Sequence, residues 1–177
     1  MVRKIFNFFI YLILFIVALI YFTPKISTYY FLEHTIKPFG VIISQERVSD
    51  NGLELKIENA SISVKGVDSA VIENIDIQIF GLYNSFDIQN IELSSVASSF
   101  VPLKIEDVNI KYSVINPLFI TGASHGEFGE ASLNINILER TLQLKLIPSK
   151  IMKQKYRSTL RNLKKNAEGE YIYEKNI

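Results

Sequence analysis

The chain has 177 residues, with 19 Lys and Arg against 18 Asp and Glu, so its net charge of +1 gives no bulk attraction to nucleic acid. It has no Cys, which removes disulfides, thiolate zinc sites and thiol catalysis together. The apolar fraction of 48% is raised by the first 22 residues, and the remainder is long enough to bury a core of its own.

Residues 5–22 form an apolar run broken only by Asn7, with no charge inside it. A helix of that length covers about 27 Å, close to the hydrocarbon thickness of a bilayer. The run exceeds the apolar core of a usual signal peptide and no Ala-x-Ala-like site follows it, so residues 1–23 read as an uncleaved transmembrane anchor. Arg3, Lys4 and the amino terminus precede it, and the positive-inside rule puts the N-terminus in the cytoplasm. The abundance of Ile, Lys and Asn with no Trp suggests an AT-rich bacterial genome. The chain is expected to cross a membrane once, with everything after the anchor outside the cytoplasm.

Residues 24–48 read as a juxtamembrane connection and a first strand. Ser27-Thr28-Tyr29-Tyr30-Phe31-Leu32 extends the helix to the interface, where tyrosines are at home. Lys37-Pro38-Phe39-Gly40 reads as a turn, and residues 41–48 as the strand. His34 has no partner at ligand spacing.

Residues 49–148 read as a repeated β domain. Four related units, Ile57-Glu58-Asn59-Ala60, Ile72-Glu73-Asn74-Ile75, Ile88-Gln89-Asn90-Ile91 and Ile105-Glu106-Asp107-Val108, recur 15, 16 and 17 positions apart. Apolar residues alternate on either side of each unit, but the parity slips by one within it. Leu53, Leu55 and Ile57 give way to Ala60, Ile62 and Val64. A strand of strict period 2 would turn its apolar set outward after such a slip. A β-bulge within a continuous strand is the favoured remedy, and a two-residue hairpin turn is the alternative. The bulge reading expects Ile72, Ile75, Ile77 and Ile79 on one buried face.

Turns are expected at residues 65–69, 81–85 and 94–99, and a glycine-rich reversal at 122–129. Residues 131–138 and 141–147 read as a hairpin joined at Glu139-Arg140. After Pro148, residues 149–166 read as one basic amphipathic helix, with Ser149 as N-cap and Met152, Tyr156, Leu160 and Leu163 as its apolar stripe. Lys150, Lys153, Lys155, Arg157, Arg161, Lys164 and Lys165 give it seven positive charges, and they are the candidate contacts to a partner or a membrane surface. The plainer reading is a helix that caps the sheet with its lysines in solvent. Residues 167–177 read as a final strand or tail. The fold class expected is thus mainly β: an N-terminal transmembrane helix, an antiparallel sheet of short repeated units and a C-terminal basic helix.

No catalytic, cofactor or metal site is expected. Gly122, Gly126 and Gly129 match no phosphate loop, and Ser124-His125 reads as a lone pair with no orienting acid and no nucleophile elbow. The anchor, the repeated units and Asn116-Pro117-Leu118-Phe119-Ile120-Thr121-Gly122 together resemble the AsmA-like group and the type II secretion protein N group. Both are membrane-anchored periplasmic β proteins. That resemblance covers about residues 53–147. It implies an accessory or structural role in an envelope or secretion assembly, or alternatively a lipid-binding β groove. The partner expected is then an envelope protein or a lipid. Oligomeric state is not set by the sequence.

Overall fold

The computed structural model describes residues 2–176; Met1, whose amino group entered the charge comparison, and Ile177 lie outside the described residues. Helix α1 spans Val2–Phe22, and its stretch Arg3–Phe22 is long and apolar enough to cross a membrane, with none of it buried in the rest of the chain. Pro24, which lacks an amide donor, separates it from α2 (Lys25–Ile36). A short 3₁₀ turn at Lys37–Phe39 ends on Gly40 at φ 80° and delivers the chain into the sheet.

The rest is one antiparallel sheet. Its strands are β1 (Val41–Ser44), β2 (Arg47–Asp50), β3 (Glu54–Val64), β4 (Val67–Ile79), β5 (Tyr83–Leu93), β6 (Lys104–Ser113), β7 (Phe119–Gly126), β8 (Gly129–Asn136), β9 (Thr141–Pro148), β10 (Lys164–Lys165) and β11 (Tyr171–Asn176). From β3 to β9 each strand pairs with the next in sequence, then β11 follows β9 and β10 closes that end; β1 and β2 share the outer side of β3. Such a meander needs only short connections. The sharpest is Lys65-Gly66, both at positive φ (53° and 80°) between the paired Val64 and Val67.

The repeated units lie inside continuous strands, so they are not hairpin turns. Nor is the slip a simple two-against-one bulge. Between β3 and β4 the register is the same on both sides of it, Glu58 facing Asn74 and Ala60 facing Ile72, with the pair Asn59/Glu73 dropping out of the ladder; a separate one-sided bulge follows near the turn, where Ile62 faces Ala70, Ser63 faces Asp68 and Ser69 has no partner in the ladder. Glu73/Asn90 drops out between β4 and β5 as Asn59/Glu73 does, and so does Asn90/Glu106 between β5 and β6. Each strand thus takes its extra residue in the same row. Asn59 and Asn90 do so in the left-handed region, at φ 57° and 55°, which Asn tolerates better than most residues. The Asn90 side-chain amide also donates to the Glu73 carboxylate at 2.6 Å. The row ends at β7 as a one-sided bulge, where Ile105 faces Gly126 and Asp107 faces His125. At the other end it runs into the gap between β1 and β2. Ser44 faces Ser61 and Arg47 faces Glu58, so the expected first strand is one strand interrupted at Gln45 (φ 65°) and Glu46.

With the parity restored in every strand at once, one apolar face results. Leu55, Ile57, Ala60, Ile72, Ile77 and Ile91 are buried there, with Ile75 and Ile79 packed against them, and Tyr29 of α2 seals that corner. A second cluster of Leu146, Met152 and Leu160 forms at the opposite end, beneath the segment that follows β9.

Several local expectations differ from the structure: the turns expected at 65–69 and 81–85 are shorter, because β4 already begins at Val67 and β5 at Tyr83, and two further stretches differ more. The glycine-rich stretch 122–129 is mostly strand, with only Glu127-Phe128 between β7 and β8. Gly122 and Gly126 are strand residues because neighbours crowd them: a Cβ at Gly126 would lie 2.8 Å from the Lys104 carbonyl oxygen, and one at Gly122 would lie 3.3 Å from the Leu133 Cβ. The basic segment is not one helix but two, α3 (Lys150–Lys155) and α4 (Arg157–Leu160), and Lys164–Lys165 belongs to β10. Arg157 Nε donates to the Lys153 carbonyl, the acceptor its own backbone amide would use in a continuous helix. Like charges four apart, at Lys153, Arg157 and Arg161, also disfavour continuity.

Candidate functional site: an apolar trough and a cationic hollow

Between the two clusters no second layer of described residues covers the apolar face. Ile105, Val108 and Ile110 of β6, Leu133 of β8 and Leu144 of β9 line a trough of about 270 Å³ whose walls are almost wholly apolar. Gly122 forms part of its floor because β7 carries no side chain at that point. Along the same face Phe86 retains 38% of its surface and Tyr173 41%, so the strip is open to whatever lies above the sheet. Leaving such side chains uncovered forgoes roughly 1.5–3 kcal/mol each relative to full burial.

The trough runs into the second cluster. Phe128 and Ala131 line the trough and also pack against Leu146, Met152 and Leu160. Ser149 caps α3 as its sequence position predicts, accepting from the Met152 amide at 3.1 Å while its hydroxyl donates to the Glu127 carbonyl at 2.6 Å. Thr159 ties α4 to the connection after β5 by donating to the Phe100 carbonyl at 2.6 Å.

On the far side of this cap, Leu160, Leu163 and Tyr171 floor a hollow of about 380 Å³ rimmed by Lys153, Arg157, Arg161 and Lys165. These four cations sit four residues apart in sequence, and the structure brings them together despite the break at Tyr156. Lys165 Nζ lies 5.9 Å from the centre of the Tyr171 ring. Lys150, Lys155 and Lys164 are exposed but do not line the hollow. Among the described residues none of the seven has a carboxylate within 4 Å. With these seven set aside, 12 basic and 18 acidic side chains remain, a net of −6, so the positive charge of the chain is concentrated here.

The opposite face of the sheet is polar. The Asn109 amide donates to Asp87, and Lys56 lies 3.8 Å from Asp76. His125 has acid neighbours that sequence proximity did not reveal: its Nδ1 is 3.0 Å from Glu106 and 3.9 Å from Asp107, both on β6. Ser124 precedes it in the strand and so points to the other face, where it lines the trough. Among the described residues no three His, Asp or Glu side chains are placed to hold a metal ion.

A further junction escaped sequence reasoning. Lys25 is 1% exposed, and its ammonium donates to the carbonyls of Ile20 (3.1 Å), Thr23 (3.5 Å) and Gly52 (2.5 Å), with Asp50 at 4.0 Å. It thus caps the end of α1 and holds the β2–β3 turn against it.

The fold and site define an open single-layer antiparallel sheet, apolar on one face, capped by helices at both ends and led by an apolar helix. No family model, curated protein or solved structure matches the chain.

Proposed function

We propose that the chain is a single-pass protein of a bacterial inner membrane, with its N-terminus cytoplasmic and its sheet in the periplasm, and that it holds lipid against the apolar face as a non-catalytic component of envelope lipid handling. The supporting observation is the uncovered strip of apolar side chains between two helical caps. A closed core would place a second layer over Ile110, Leu133 and Leu144. A surface that exchanges an apolar guest must leave them open. Arg3 and Lys4 support the orientation through the positive-inside rule.

The second reading, an accessory component of an envelope or secretion assembly, draws on a different observation. The outer sides of β1–β2 and of β10 pair with no strand among the described residues, and such edges accept a partner strand. The AsmA-like and type II secretion protein N-like resemblance accommodates both readings.

Full-length protein, solubilised from membranes in mild non-ionic detergent, is the material for the test. Mass spectrometry of its lipid extract should find lipid co-eluting with the wild type and several-fold less with the double variant Ile110→Asp/Leu133→Asp. Wild-type protein free of lipid, together with protein adducts from photo-crosslinkers on the sheet edges, would replace the first reading with the second.

A further inference from the structure

We propose that the hollow rimmed by Lys153, Arg157, Arg161 and Lys165 is the headgroup site for a phosphate-bearing lipid whose acyl chains lie in the trough. This assignment rests on the lipid-holding reading of the apolar face and adds to it the chemical class of the guest.

Three observations carry the assignment. The first is continuity. Phe128 and Ala131 belong to the trough wall and to the second cluster, while Leu160, Leu163 and Tyr171 belong to that cluster and to the floor of the hollow. The trough and the hollow therefore border one and the same buried apolar cluster from two sides, matching an amphiphile whose chains rest on one side of it and whose charged head rests on the other.

The second is uncompensated charge. Four cations gathered around one hollow repel one another, and among the described residues no carboxylate lies within 4 Å of any of them. Elsewhere exposed lysines are divided: Lys104 and Lys145 lie 3.8 and 3.6 Å from Glu92 and Glu170, while Lys37, Lys65, Lys111 and Lys175 stand singly with no acid within 4 Å among the described residues. What sets the hollow apart is that four such cations share one concavity, so that a single anion from outside the chain meets all of them. An anion with several acceptor oxygens satisfies it, and a phosphate group offers that number to the forked donors of two arginines.

The third is the local fold. A continuous helix over 149–166 would array Lys153, Arg157 and Arg161 along an exposed stripe suited to a flat anionic surface. The break at Tyr156 and the turn into β10 instead wrap these side chains and Lys165 around a concavity with an apolar floor. A concave cationic rim favours one headgroup over a membrane plane.

The test measures binding of monomeric dioctanoyl phosphatidic acid and of uncharged dioctanoylglycerol to the full-length protein in non-ionic detergent. The wild type should bind the phosphatidic acid more tightly by about tenfold or more, since each cation near an anionic lipid surface contributes roughly 1 kcal/mol. The variant Lys153→Gln/Arg157→Gln/Arg161→Gln/Lys165→Gln should lose that preference while binding dioctanoylglycerol as before. The triple variant Lys150→Gln/Lys155→Gln/Lys164→Gln should keep it. Equal wild-type affinity for the two lipids overturns the headgroup site and leaves the trough intact. Equal loss in the triple variant overturns it in favour of diffuse attraction. Inorganic phosphate binding as tightly as the phosphatidic acid would also overturn it, because the site would then serve a free anion. Binding of neither lipid removes the lipid-holding reading itself.

Discussion

The Lys25 ammonium donates to the carbonyl of Gly52, 27 residues away, from a position almost wholly out of solvent. The same ammonium donates to the Ile20 carbonyl, which also accepts from the Thr23 amide at 3.3 Å, and to the Thr23 carbonyl just past the end of α1. The turn it grips is ordered by Asp50, which accepts from the Gly52 amide at 2.8 Å. The leading helix and the sheet are therefore fastened at one side chain.

Replacing that side chain by one of similar length without charge should expose the cost. Lys25→Met removes the donor to the Gly52 carbonyl and one of the two donors to the Ile20 carbonyl, and is expected to destabilise by about 2–3 kcal/mol, the range for hydrogen bonds to a charged group. Asp50→Asn is expected to cost under about 1 kcal/mol, because the ion pair is long at 4.0 Å and partly open to solvent. Thermal unfolding of the two variants in detergent measures the difference. Equal losses would show that the ion pair, rather than the carbonyl bonds, holds the junction.

The row of extra residues makes a prediction about backbone conformation. Asn59 is at φ 57° and its side chain has no hydrogen bond, so Asn59→Gly should be nearly neutral while Asn59→Val should cost about 1–2 kcal/mol. Asn90→Gly keeps the conformation but loses the bond to Glu73, and is expected to cost about 1 kcal/mol. Deleting Glu73 alone would invert one half of β4 against both neighbours, and should abolish the cooperative transition. A Glu73 deletion that melted like wild type would refute the row.

Tyr29 links stability to alkaline pH. Burial pushes its hydroxyl well above the usual tyrosine value, and the nearby Glu46 and Glu33 charges add to the effect. The raised group holds its proton in the folded state, so its contribution is complete below the unfolded value of about 10 and is lost as pH rises beyond that. Its hydroxyl also has no hydrogen-bond partner. Tyr29→Phe should therefore stabilise by about 1 kcal/mol at neutral pH and flatten the alkaline decline. Stability curves against pH for both proteins test this, and parallel curves would count against it.

Met152 is 2% exposed and carries the second cap. Met152→Ala should cost about 2–4 kcal/mol by leaving a cavity against Leu146 and Leu160. Under the headgroup assignment it should also weaken the preference for charged lipid, because the cations lose their floor. Hydrogen exchange over 149–165 would show the accompanying loss of protection.

Much of the architecture was legible because alternation and its slip are local signals. Residues 53–64 carry both halves of the pattern, and the buried face of Leu55, Ile57 and Ala60 follows from it. The break at Gln45-Glu46 was not legible, since no Ile-x-Asn unit marks it and only pairing with β3 reveals that it lies on the row. Glycine was misleading at 122–129. There it reports the approach of Leu133 and of the Lys104 carbonyl from neighbouring strands, which a linear reading takes for a turn. For the site, the seven cations were visible, but their division into four that converge and three that do not depends on a helix break made by a side chain. The role of Lys25 was not legible, because its partner Gly52 lies beyond a helix and two strands.

The row through Glu46, Asn59, Glu73, Asn90 and Glu106 has a consequence for assembly. A meander of similar Ile-rich strands invites mispairing by a residue or two, and alternation alone discourages only the odd-numbered slips. Here every strand from β3 to β6 carries its irregular residue at one height, so a neighbour arriving two residues out would meet a kink with a straight segment. The irregularity thus works as an alignment key, admitting each new strand in a single frame while the sheet is still being laid down.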